Sequence, residues 1–415
     1  MTELITDDVL HQVVNAEGIF SDIKVNNLHN KAENFAAILK NVVFKFQDSK
    51  TKSETIFNVI LKFPNINGIF YSSMLNSCAF AREVEAYSRL FPDICTWQKQ
   101  VLGRTKYEMP LAKCYYTNKT QNFFILENLN SKGFEIKPSL MNGLNFMQCK
   151  SVMKELATFH GVGYAYLSSF GNTDEFFQSY NYFKGMTRKN FDEMLKRMDA
   201  KAQTKKMFEV YKKVLQNVYP EETALLSKIY EFTTRDHPPE LLYNFATPNE
   251  KFNVICHGDL WGDNMLFRSD ENSTSFECKF IDLQLMKYCS PAVDLVQFFW
   301  VSASQDVLSN HMNELFVIYY EAFDNILQSF ECEITFSLKD LLEISSQLNY
   351  LGFIKAIMQC MRSFYKVGQK KDTQSDSKVD SLMQQIIDLM TTADKDMIAY
   401  CMFRSKFADS MQMFD

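Results

Sequence analysis

Residues 257–264 and the later Asp282 limit the possible fold and function of this chain more than any other part of its sequence. The segment reads HGDLWGDN, so the Asp259 carboxylate comes five positions before the Asn264 amide. Asp282 follows at the end of the next apolar run. Carboxylate and amide oxygens are the ligands that hard cations such as Mg²⁺ take. This order and spacing is typical of phosphoryl transfer from a nucleoside triphosphate, in which the first carboxylate accepts the proton of the attacking hydroxyl.

The neighbouring residues predict a short strand and a hairpin around these polar groups. Residues 252–256 form an apolar run, and residues 265–268 and 276–281 read as two strands joined by a polar turn. Such a hairpin delivers the three polar side chains to one end of the structure. The alternative is an ordinary turn sequence, in which these side chains only cap or turn the chain.

A lysine and a glutamate further upstream give an independent test of the phosphoryl-transfer hypothesis. Lys62 is embedded in the apolar run of residues 54–64, which predicts a strand, and Glu83 lies beside an apolar helical stripe over residues 80–91. An ion pair between them would aim the ammonium at the nucleotide phosphates. Alternatively, Lys62 snorkels from a strand end and Glu83 is a solvated helix charge.

The residues before that strand predict an opening helix and a pair of strands. Residues 1–26 have an amphipathic pattern typical of a helix, and residues 34–46 alternate between apolar and polar side chains, as paired strands do. The loop of residues 28–34 contains no glycine. Asn30 and Asn34 tolerate left-handed backbone conformations, so a tight phosphate-covering turn remains possible there.

Taken together, the chain resembles the ecdysteroid kinase-like, or choline-kinase-like, small-molecule kinases. The similarity extends over residues 33–300, with a looser helical match beyond. Trp261 and Gln284 set the motifs apart from those of ordinary protein kinases. The segments that carry the resemblance are residues 33–36, 61–62, 80–83, 124–129, 156–160, 257–264, 281–284 and 291–295.

The resemblance implies an α+β, bilobal protein-kinase-like fold. A small β-rich N-terminal lobe, with the opening helix and a nucleotide-covering sheet, would span residues 1–126. A large, mostly helical C-terminal lobe, with the catalytic loop and the substrate pocket, would span residues 127–415. The cofactors implied are ATP and Mg²⁺.

The resemblance also implies roles for single residues. Asp259 would be the catalytic base, and Asn264 and Asp282 would be the Mg²⁺ ligands. Lys62, paired with Glu83, would orient the phosphates of ATP and take part in catalysis.

Further nucleotide contacts follow from the same resemblance. Asn34 would lie in the phosphate-covering loop, and Glu127 to Leu129 would line the adenine through backbone groups of the hinge. Two positions depart from the family pattern: Ala32 replaces a glycine before Asn34, and Asn128 replaces an aspartate in the hinge. Ala32 would stiffen the loop, and Asn128 removes a carboxylate near the nucleotide.

Two histidines and an aspartate are expected to support the site without taking part in the proton transfer. His257 is expected to orient the loop rather than carry a proton, because Asp259 lies nearer to the reacting position. His160 is expected to be a packed histidine of the large lobe. Asp294 either caps the helix that follows Pro291 or, as the resemblance suggests, braces the catalytic loop.

Composition is consistent with an enzyme of the cytoplasm that binds a small molecule. The 415 residues are enough for two lobes, and the net charge of −6 argues against broad nucleic-acid binding. No apolar stretch reaches the length that crosses a membrane. The ten cysteines lack a Cys-x-x-Cys pair, which favours buried thiols over disulfides or zinc ligands.

The phosphate acceptor is expected to be a small-molecule alcohol. Large apolar side chains between the hinge and the catalytic loop, and on a C-terminal stripe, suit a lipophilic alcohol, although each of them could simply fill the core. The resemblance points to an ecdysteroid-like compound. One alternative is a kinase whose acceptor is a cationic molecule of the choline or aminoglycoside type. The other is a catalytically silent binding protein. The sequence does not predict the oligomeric state. The apolar candidates are Tyr180, Tyr182, Phe183, Met186, Phe191, Met194, Met198, Tyr350, Phe353, Ile354, Met358 and Met361.

Overall fold

The structure, a computed structural model, describes residues 4–28, 37–66, 78–136, 142–185, 200–234, 247–249, 251–270, 275–369 and 395–413. Over these residues a five-stranded antiparallel sheet comes first, and mostly helical structure follows. The predicted α+β class, with a small β-rich part and a larger helical part, is confirmed.

The strands form one large sheet and two small pairs. The large sheet has the order β1-β2-β3-β5-β4, and the small pairs are β6 with β9 and β7 with β8. All of these pairings are antiparallel. The strands of the described residues are β1 (Gly18–Asn27), β2 (Ala37–Asp48), β3 (Glu54–Pro64), β4 (Cys114–Asn118), β5 (Phe123–Glu127), β6 (Val254–Cys256), β7 (Met265–Ser269), β8 (Phe276–Phe280) and β9 (Lys287–Cys289).

Helices precede and follow the small strand pairs along the chain. A π-helical turn, Ala86–Leu90, joins the second and third helices without a break. The α-helices of the described residues are α1 (Asp7–Val14), α2 (Ala79–Glu85), α3 (Phe91–Leu102), α4 (Phe146–Ser168), α5 (Thr173–Ser179), α6 (Ala200–Val218), α7 (Thr223–Thr234), α8 (Ala292–Ser302), α9 (Gln305–Asn310), α10 (Met312–Ser329), α11 (Leu338–Gln369) and α12 (Lys395–Ser410).

The two faces of the large sheet bury different side chains because successive strand residues point in opposite directions. On β5, Phe123 and Ile125 pack in a cluster with α1, whereas Phe124 and Leu126 join the core of the helical part. Lys62 pairs in register with Phe124, so its side chain points to the helical side. The alternation along two strands therefore positions the one buried lysine of β3.

Two predictions for the N-terminal region were wrong. The amphipathic helix expected over residues 1–26 ends at Val14, and β1 occupies Gly18–Asn27. The strand pair expected in residues 34–46 is a single strand, β2, from Ala37. The alternation of β1 is broken by a bulge between Ser21 and Lys24, and most of its side chains are exposed, so its apolar pattern is weak.

The strands and helices predicted near the polar motifs are confirmed. β3 has the predicted bounds, and β7 and β8 form the predicted hairpin. α8 is buried along its whole length, as expected of a helix that is apolar on all sides. None of the described helices is both long and apolar enough to cross a membrane.

Candidate active site

Lys62 lies between two carboxylates. Its ammonium nitrogen is 2.8 Å from Oε2 of Glu83 and 2.7 Å from Oδ1 of Asp282. The side chains of Lys62 and Glu83 are 6% and 1% exposed, so the predicted ion pair is present and is a buried one. Burial opposes the charged form of Lys62, but the two carboxylates outweigh it and raise the pKa of the ammonium. Lys62 is therefore protonated over the whole physiological range.

Helix α2 connects this ion pair to the turn that follows Asp282. The backbone N–H of Leu283 donates to Oε1 of Glu83 at 3.2 Å. One residue earlier on α2, Arg82 donates from Nη1 to the carbonyl of Gln284 at 2.5 Å and from Nε to the carbonyl of Tyr182 at 2.8 Å. Two successive residues of α2 therefore fix the position of the turn.

Asp282 itself adopts a left-handed backbone conformation, with φ at 67°. Such a conformation is uncommon for a non-glycine residue and marks a position that the surrounding structure determines. Asp282 follows β8, and the N–H of Ile281 donates to the carbonyl of Asn264 at 3.1 Å. The backbone thus brings Asp282 beside the loop of residues 257–264, named the HGD loop below.

Three side chains of the HGD loop and of α8 hold the Asp259 carboxylate. Gln297 donates from Nε2 to Oδ1 at 2.8 Å, and the indole N–H of Trp261 donates to Oδ2 at 3.3 Å. Asn264 donates from Nδ2 to the Asp259 carbonyl at 2.9 Å, with a longer contact of 3.4 Å to Oδ2. Because the amide of Asn264 uses its nitrogen here, its oxygen is the atom left for a cation.

The ring of His257 joins the HGD loop to the segment before Asp282. Its Nε2 lies 3.0 Å from the carbonyl of Ile281, which can only accept, so Nε2 carries the hydrogen. Its Nδ1 then accepts from the backbone N–H of Asp259 at 3.3 Å. Both ring nitrogens are thus used to orient the backbone, which is the role expected for His257.

Asp294 braces the HGD loop from the first turn of α8. Its Oδ2 accepts from the N–H of His257 at 2.6 Å and its Oδ1 from the N–H of Gly258 at 2.8 Å. His160 adds a third bond from Nε2 at 3.0 Å. Burial acts to raise the pKa of the Asp294 carboxyl, but His160, through its hydrogen bond and electrostatic effect, together with His257 and the Gly258 N–H, outweighs it and lowers that pKa. Of the two roles considered for Asp294, bracing the loop is the one observed.

His160 is fully buried between Asp294 and a tyrosine. Its Nδ1 lies 2.8 Å from the hydroxyl of Tyr319. Burial lowers the pKa of His160, although Asp294 acts in the opposite direction. His160 is therefore a neutral, packed histidine, as expected, and it acts on the loop through Asp294.

The hinge residues lie at the end of β5. Glu127 ends the strand, and Leu129, whose side chain is buried in the core, begins a short 3-10 turn. Asn128 donates from Nδ2 to the side-chain oxygen of Asn58 at 2.9 Å and to that of Asn41 at 3.3 Å. Asn128, which stands where the family has an aspartate, therefore joins the hinge to β2 and β3.

Some predicted residues lie outside the described part of the chain. These are Asn34 and Ala32 of the phosphate-covering loop and four of the apolar pocket candidates, Met186, Phe191, Met194 and Met198. Nothing is described of the Met361 side chain.

Most of the apolar pocket candidates that the structure describes fill the core. Tyr180, Phe183 and Phe353 are almost completely buried, and Tyr180 donates a hydrogen bond to Asp93. Tyr350 and Ile354 are also buried, whereas Met358 is exposed and Tyr182 is half-buried. The simpler interpretation of the buried members, as core residues, is therefore correct.

Sequence reasoning missed two residues near Asp259. Gln297 donates to Asp259 from α8, and its only sequence signal is that it is an amide in an otherwise apolar helix, three positions after Asp294. Lys355 comes from α11, and among the described residues the carboxylates of Asp259 and Asp294 act on its ammonium. Burial lowers the pKa of Lys355 more than these carboxylates raise it. No local pattern distinguishes Lys355 from other helix lysines.

The family model of the ecdysteroid kinase-like family matches residues 31–332. This match covers more than half of the chain and includes Lys62, Glu83, Asp259, Asn264 and Asp282. No curated protein matches the sequence.

Several solved structures are similar to the chain over most of its length. An ethanolamine kinase of Plasmodium vivax has 11% identity and a TM-score of 0.32, with 94% of this chain and 85% of that chain covered. A spectinomycin phosphotransferase in complex with ADP and spectinomycin has 10% identity and a TM-score of 0.34, with 94% of both chains covered. A choline/ethanolamine kinase family protein from Mesorhizobium loti has 13% identity and a TM-score of 0.35, with 91% and 92% covered.

These TM-scores are low, so the family model and the residues of the site itself carry the assignment. The chain belongs to the ecdysteroid kinase-like family and is a small-molecule phosphotransferase.

Proposed function

We propose that the protein uses ATP and Mg²⁺ to transfer the γ-phosphoryl group to a hydroxyl of a small lipophilic alcohol, with an ecdysteroid or a related compound as the acceptor. The observation that supports this most is the Lys62 ammonium held between Glu83 and Asp282, with Asp282 beside the HGD loop that carries Asp259. Phosphoryl transfer depends mainly on such positioned charge.

The donor set fits a hard divalent cation. Asp282 offers a carboxylate, and the side-chain oxygen of Asn264 is left over because its nitrogen donates to Asp259. Oxygen ligands of these two types are the ones that Mg²⁺ takes. When bound, Mg²⁺ would offset the negative charge of the phosphates, and Lys62 would contribute a further positive charge beside Asp282.

Asp259 is proposed to accept the proton of the acceptor hydroxyl. The hydroxyl oxygen forms the new bond to the γ-phosphorus, its proton passes to the Asp259 carboxylate, and ADP leaves with the bond electrons. Gln297 and Trp261 hold the carboxylate in one orientation through one hydrogen bond to each oxygen. This preorganisation keeps the base directed at the acceptor without a search among rotamers.

The remaining assignments concern the nucleotide and the lobes. We place the boundary between a nucleotide-covering lobe, residues 1–126, and an acceptor-binding lobe, residues 127–415, at the hinge. The backbone of Glu127 to Leu129 would contact the adenine, and Asn34 would lie over the phosphates. The short length of the hinge and its anchoring through Asn128 to Asn58 support this placement.

The experiment compares Asp259→Asn with Asp263→Asn. Product formation from ATP and Mg²⁺ is followed by mass spectrometry with a panel of hydroxylated lipids, including an ecdysteroid, and amino alcohols. We expect Asp259→Asn to lower turnover by about 10³-fold or more, while thermal stabilisation by ATP and Mg²⁺ is retained.

Asp263→Asn is the matched control, because Asp263 is an aspartate of the same loop with no role in the proposed mechanism. Its turnover should stay within about threefold of the parent protein. Near-normal turnover of Asp259→Asn on a phosphorylated acceptor would show that the base is misassigned. A parent protein that is not stabilised by ATP and Mg²⁺ would favour the catalytically silent alternative.

A further inference from the structure

A cavity of about 230 Å³ lies between α8, α10 and α11 and is named the α8–α11 cavity below. Val296 and Phe299 of α8 and Phe316 of α10 form apolar walls. Ser345 and Asn349 of α11 are the buried polar side chains that line it. An apolar cavity of about 150 Å³ already holds a benzene molecule. The α8–α11 cavity is therefore large enough for a small aromatic molecule with a short polar substituent.

The α8–α11 cavity lies on the side of α8 that faces away from the HGD loop. Asp294 and Gln297 contact that loop, whereas Val296 and Phe299 line the cavity. Val296 follows Asp294 by two positions, and Phe299 follows Gln297 by two positions, which is about 200° around an α-helix. A ligand in the cavity therefore leaves the place of the acceptor at Asp259 free.

Helices α8 and α11 touch each other beside the cavity. Three positions after Asn349, a Cβ atom at Gly352 would lie 2.2 Å from Trp300 and 2.7 Å from Val296. The walls are thus held by direct contact of the two helices before a ligand arrives. Such preorganisation lowers the cost of binding.

The amide of Asn349 offers a hydrogen-bond donor to a ligand. Its Oδ1 accepts from the indole N–H of Trp300 at 2.9 Å. An indole nitrogen only donates, so this contact fixes which end of the amide is the oxygen. Trp300 is not one of the described residues that line the cavity, and no described residue accepts a hydrogen bond from Nδ2 of Asn349. Asn349 is only 8% exposed, so Nδ2 is a largely buried donor that is left for a ligand.

Ser345 lies one helical turn before Asn349, on the same side of α11. It is 4% exposed, and its hydroxyl has no hydrogen-bond partner within the described part of the chain. A buried polar group without a partner costs free energy, which a ligand that bonds to it recovers. Apolar walls with a few polar groups that orient the ligand are the usual composition of small-molecule sites.

We propose that the α8–α11 cavity is a second binding site, which takes a small apolar molecule with a carbonyl group. Nδ2 of Asn349 donates to the carbonyl oxygen, and the hydroxyl of Ser345 can donate to its second lone pair. A carbonyl fits these two donors because it brings no hydrogen that would itself need an acceptor. The proposal is independent of the proposed function, because none of the cavity residues takes part in the phosphoryl transfer.

The first experiment titrates acetophenone into the parent protein, with ¹³C in the methionine methyl groups, and follows these groups by NMR. Met312 and Met411 line the cavity, whereas Met265 directly follows the HGD loop. The three signals are identified by single substitutions to leucine. We expect the signals of Met312 and Met411 to shift with a Kd of about 1 mM or lower, and that of Met265 to stay in place. No shift of Met312 and Met411 up to about 10 mM, or a shift of Met265 alone, overturns the proposal.

The second experiment changes the donor with Asn349→Asp. The variant keeps an oxygen for Trp300 but replaces Nδ2 with a second oxygen, which only accepts when the carboxyl is ionised at about pH 8. Acetophenone and α-methylbenzyl alcohol share one carbon skeleton, but only the alcohol can donate. We expect the Kd of the ketone divided by that of the alcohol to rise by about fivefold or more, and general loosening of the site cancels in this ratio. An unchanged ratio overturns the role of Asn349.

Ser345→Leu gives a result that does not depend on the folding of the Asn349 variant. Its larger apolar side chain fills part of the cavity, so we expect acetophenone to bind about tenfold or more weakly, measured from the signals of Met312 and Met411. Ser309→Leu, at an exposed serine of α9, is the matched control and should keep the parent Kd within about twofold. Undiminished binding in Ser345→Leu, or an equal loss in both variants, overturns the proposal.

Discussion

The ammonium nitrogen of Lys62 lies 2.7 Å from Oδ1 of Asp282, and 220 positions of sequence separate these residues. This contact joins β3 of the large sheet to the turn after β8, and Glu83 completes it from α2. One lysine therefore fixes three elements that sequence reasoning placed in two separate lobes. Its removal tests both the chemistry and the packing.

We expect Lys62→Met to lower kcat by about 10²-fold or more and to destabilise the protein at neutral pH. The variant leaves the carboxylates of Glu83 and Asp282 facing each other without a cation. Burial already raises the pKa of Glu83, and Lys62 is the group that opposes this shift most. In the variant, the folded state should take up a proton that the unfolded state does not, so its stability should rise as the pH falls from about 7.5 towards 5.

Urea unfolding of Lys62→Met at several pH values measures this effect. The parent protein, with Lys62 in place, is the reference at each pH. We expect the difference in the free energy of unfolding between the two proteins to become smaller at the lower pH. A difference that stays constant would contradict the proposed repulsion between the carboxylates of Glu83 and Asp282.

Gly258→Ala should destabilise the HGD loop strongly. Gly258 has φ at 81°, and an added Cβ would lie 2.0 Å from the backbone oxygen of Leu285. Gly103→Ala is the matched control, because Gly103 has φ at 71° but no atom within 4 Å of the added Cβ. The control should lose about 1 kcal/mol in the free energy of unfolding, because alanine disfavours the left-handed conformation. Gly258→Ala should lose clearly more than this and should also lose activity. Equal melting temperatures for the two variants would mean that the loop relaxes around Leu285.

Asp294→Asn should reduce stability and turnover together. An amide presents only one oxygen, so one of the N–H groups of His257 and Gly258 loses its acceptor and faces an NH₂ group instead. We expect a loss of about 3 kcal/mol in the free energy of unfolding, since the site is fully buried. Asp259→Asn serves as the comparison: it should lose turnover with little change in melting temperature. An Asp294→Asn variant as stable as the parent protein would contradict the role of Asp294 in holding the HGD loop.

His160 should make the protein less stable in weak acid. Burial lowers its pKa below the ordinary value, so the unfolded state binds a proton below about pH 6.5 that the folded state does not. Stability should therefore fall as the pH drops through that range. Between about pH 7 and 5.5, the parent protein should lose about 1 kcal/mol more than His160→Gln, whose side chain stays neutral. Parallel unfolding curves for the two proteins would contradict this assignment.

Gln297→Leu tests the orientation of the proposed base. The leucine fills a similar volume but removes the 2.8 Å hydrogen bond to Oδ1 of Asp259. We expect kcat to fall by about tenfold while thermal stabilisation by ATP and Mg²⁺ is unchanged, because the hydrogen bond of Gln297 is to the proposed base. Gln328→Leu, an exposed glutamine on α10, is the control. A change in nucleotide stabilisation would show that Gln297 acts on the fold instead.

Local sequence patterns predicted the elements that carry the site well. The apolar run around Lys62 gave β3 with its observed bounds, and the hairpin of β7 and β8 followed from alternation and a polar turn. The same reasoning failed for β1, because a bulge breaks its alternation and both its faces are largely exposed. Periodicity identifies a strand only where one face is buried consistently.

The amino-acid sequence by itself determined the identity and the order of Lys62, Glu83, Asp259, Asn264 and Asp282, because each lies in a short motif with a recognisable neighbourhood. Only the tertiary structure decided which further groups surround them: the bracing carboxylate of Asp294, the amide of Gln297 and the ammonium of Lys355. The positions of these three depend on how α8 packs under the HGD loop and against α11. That packing is set by side-chain shape, such as the fit of Gly352 against Trp300, and shape complementarity between distant segments leaves no periodic signal in the chain.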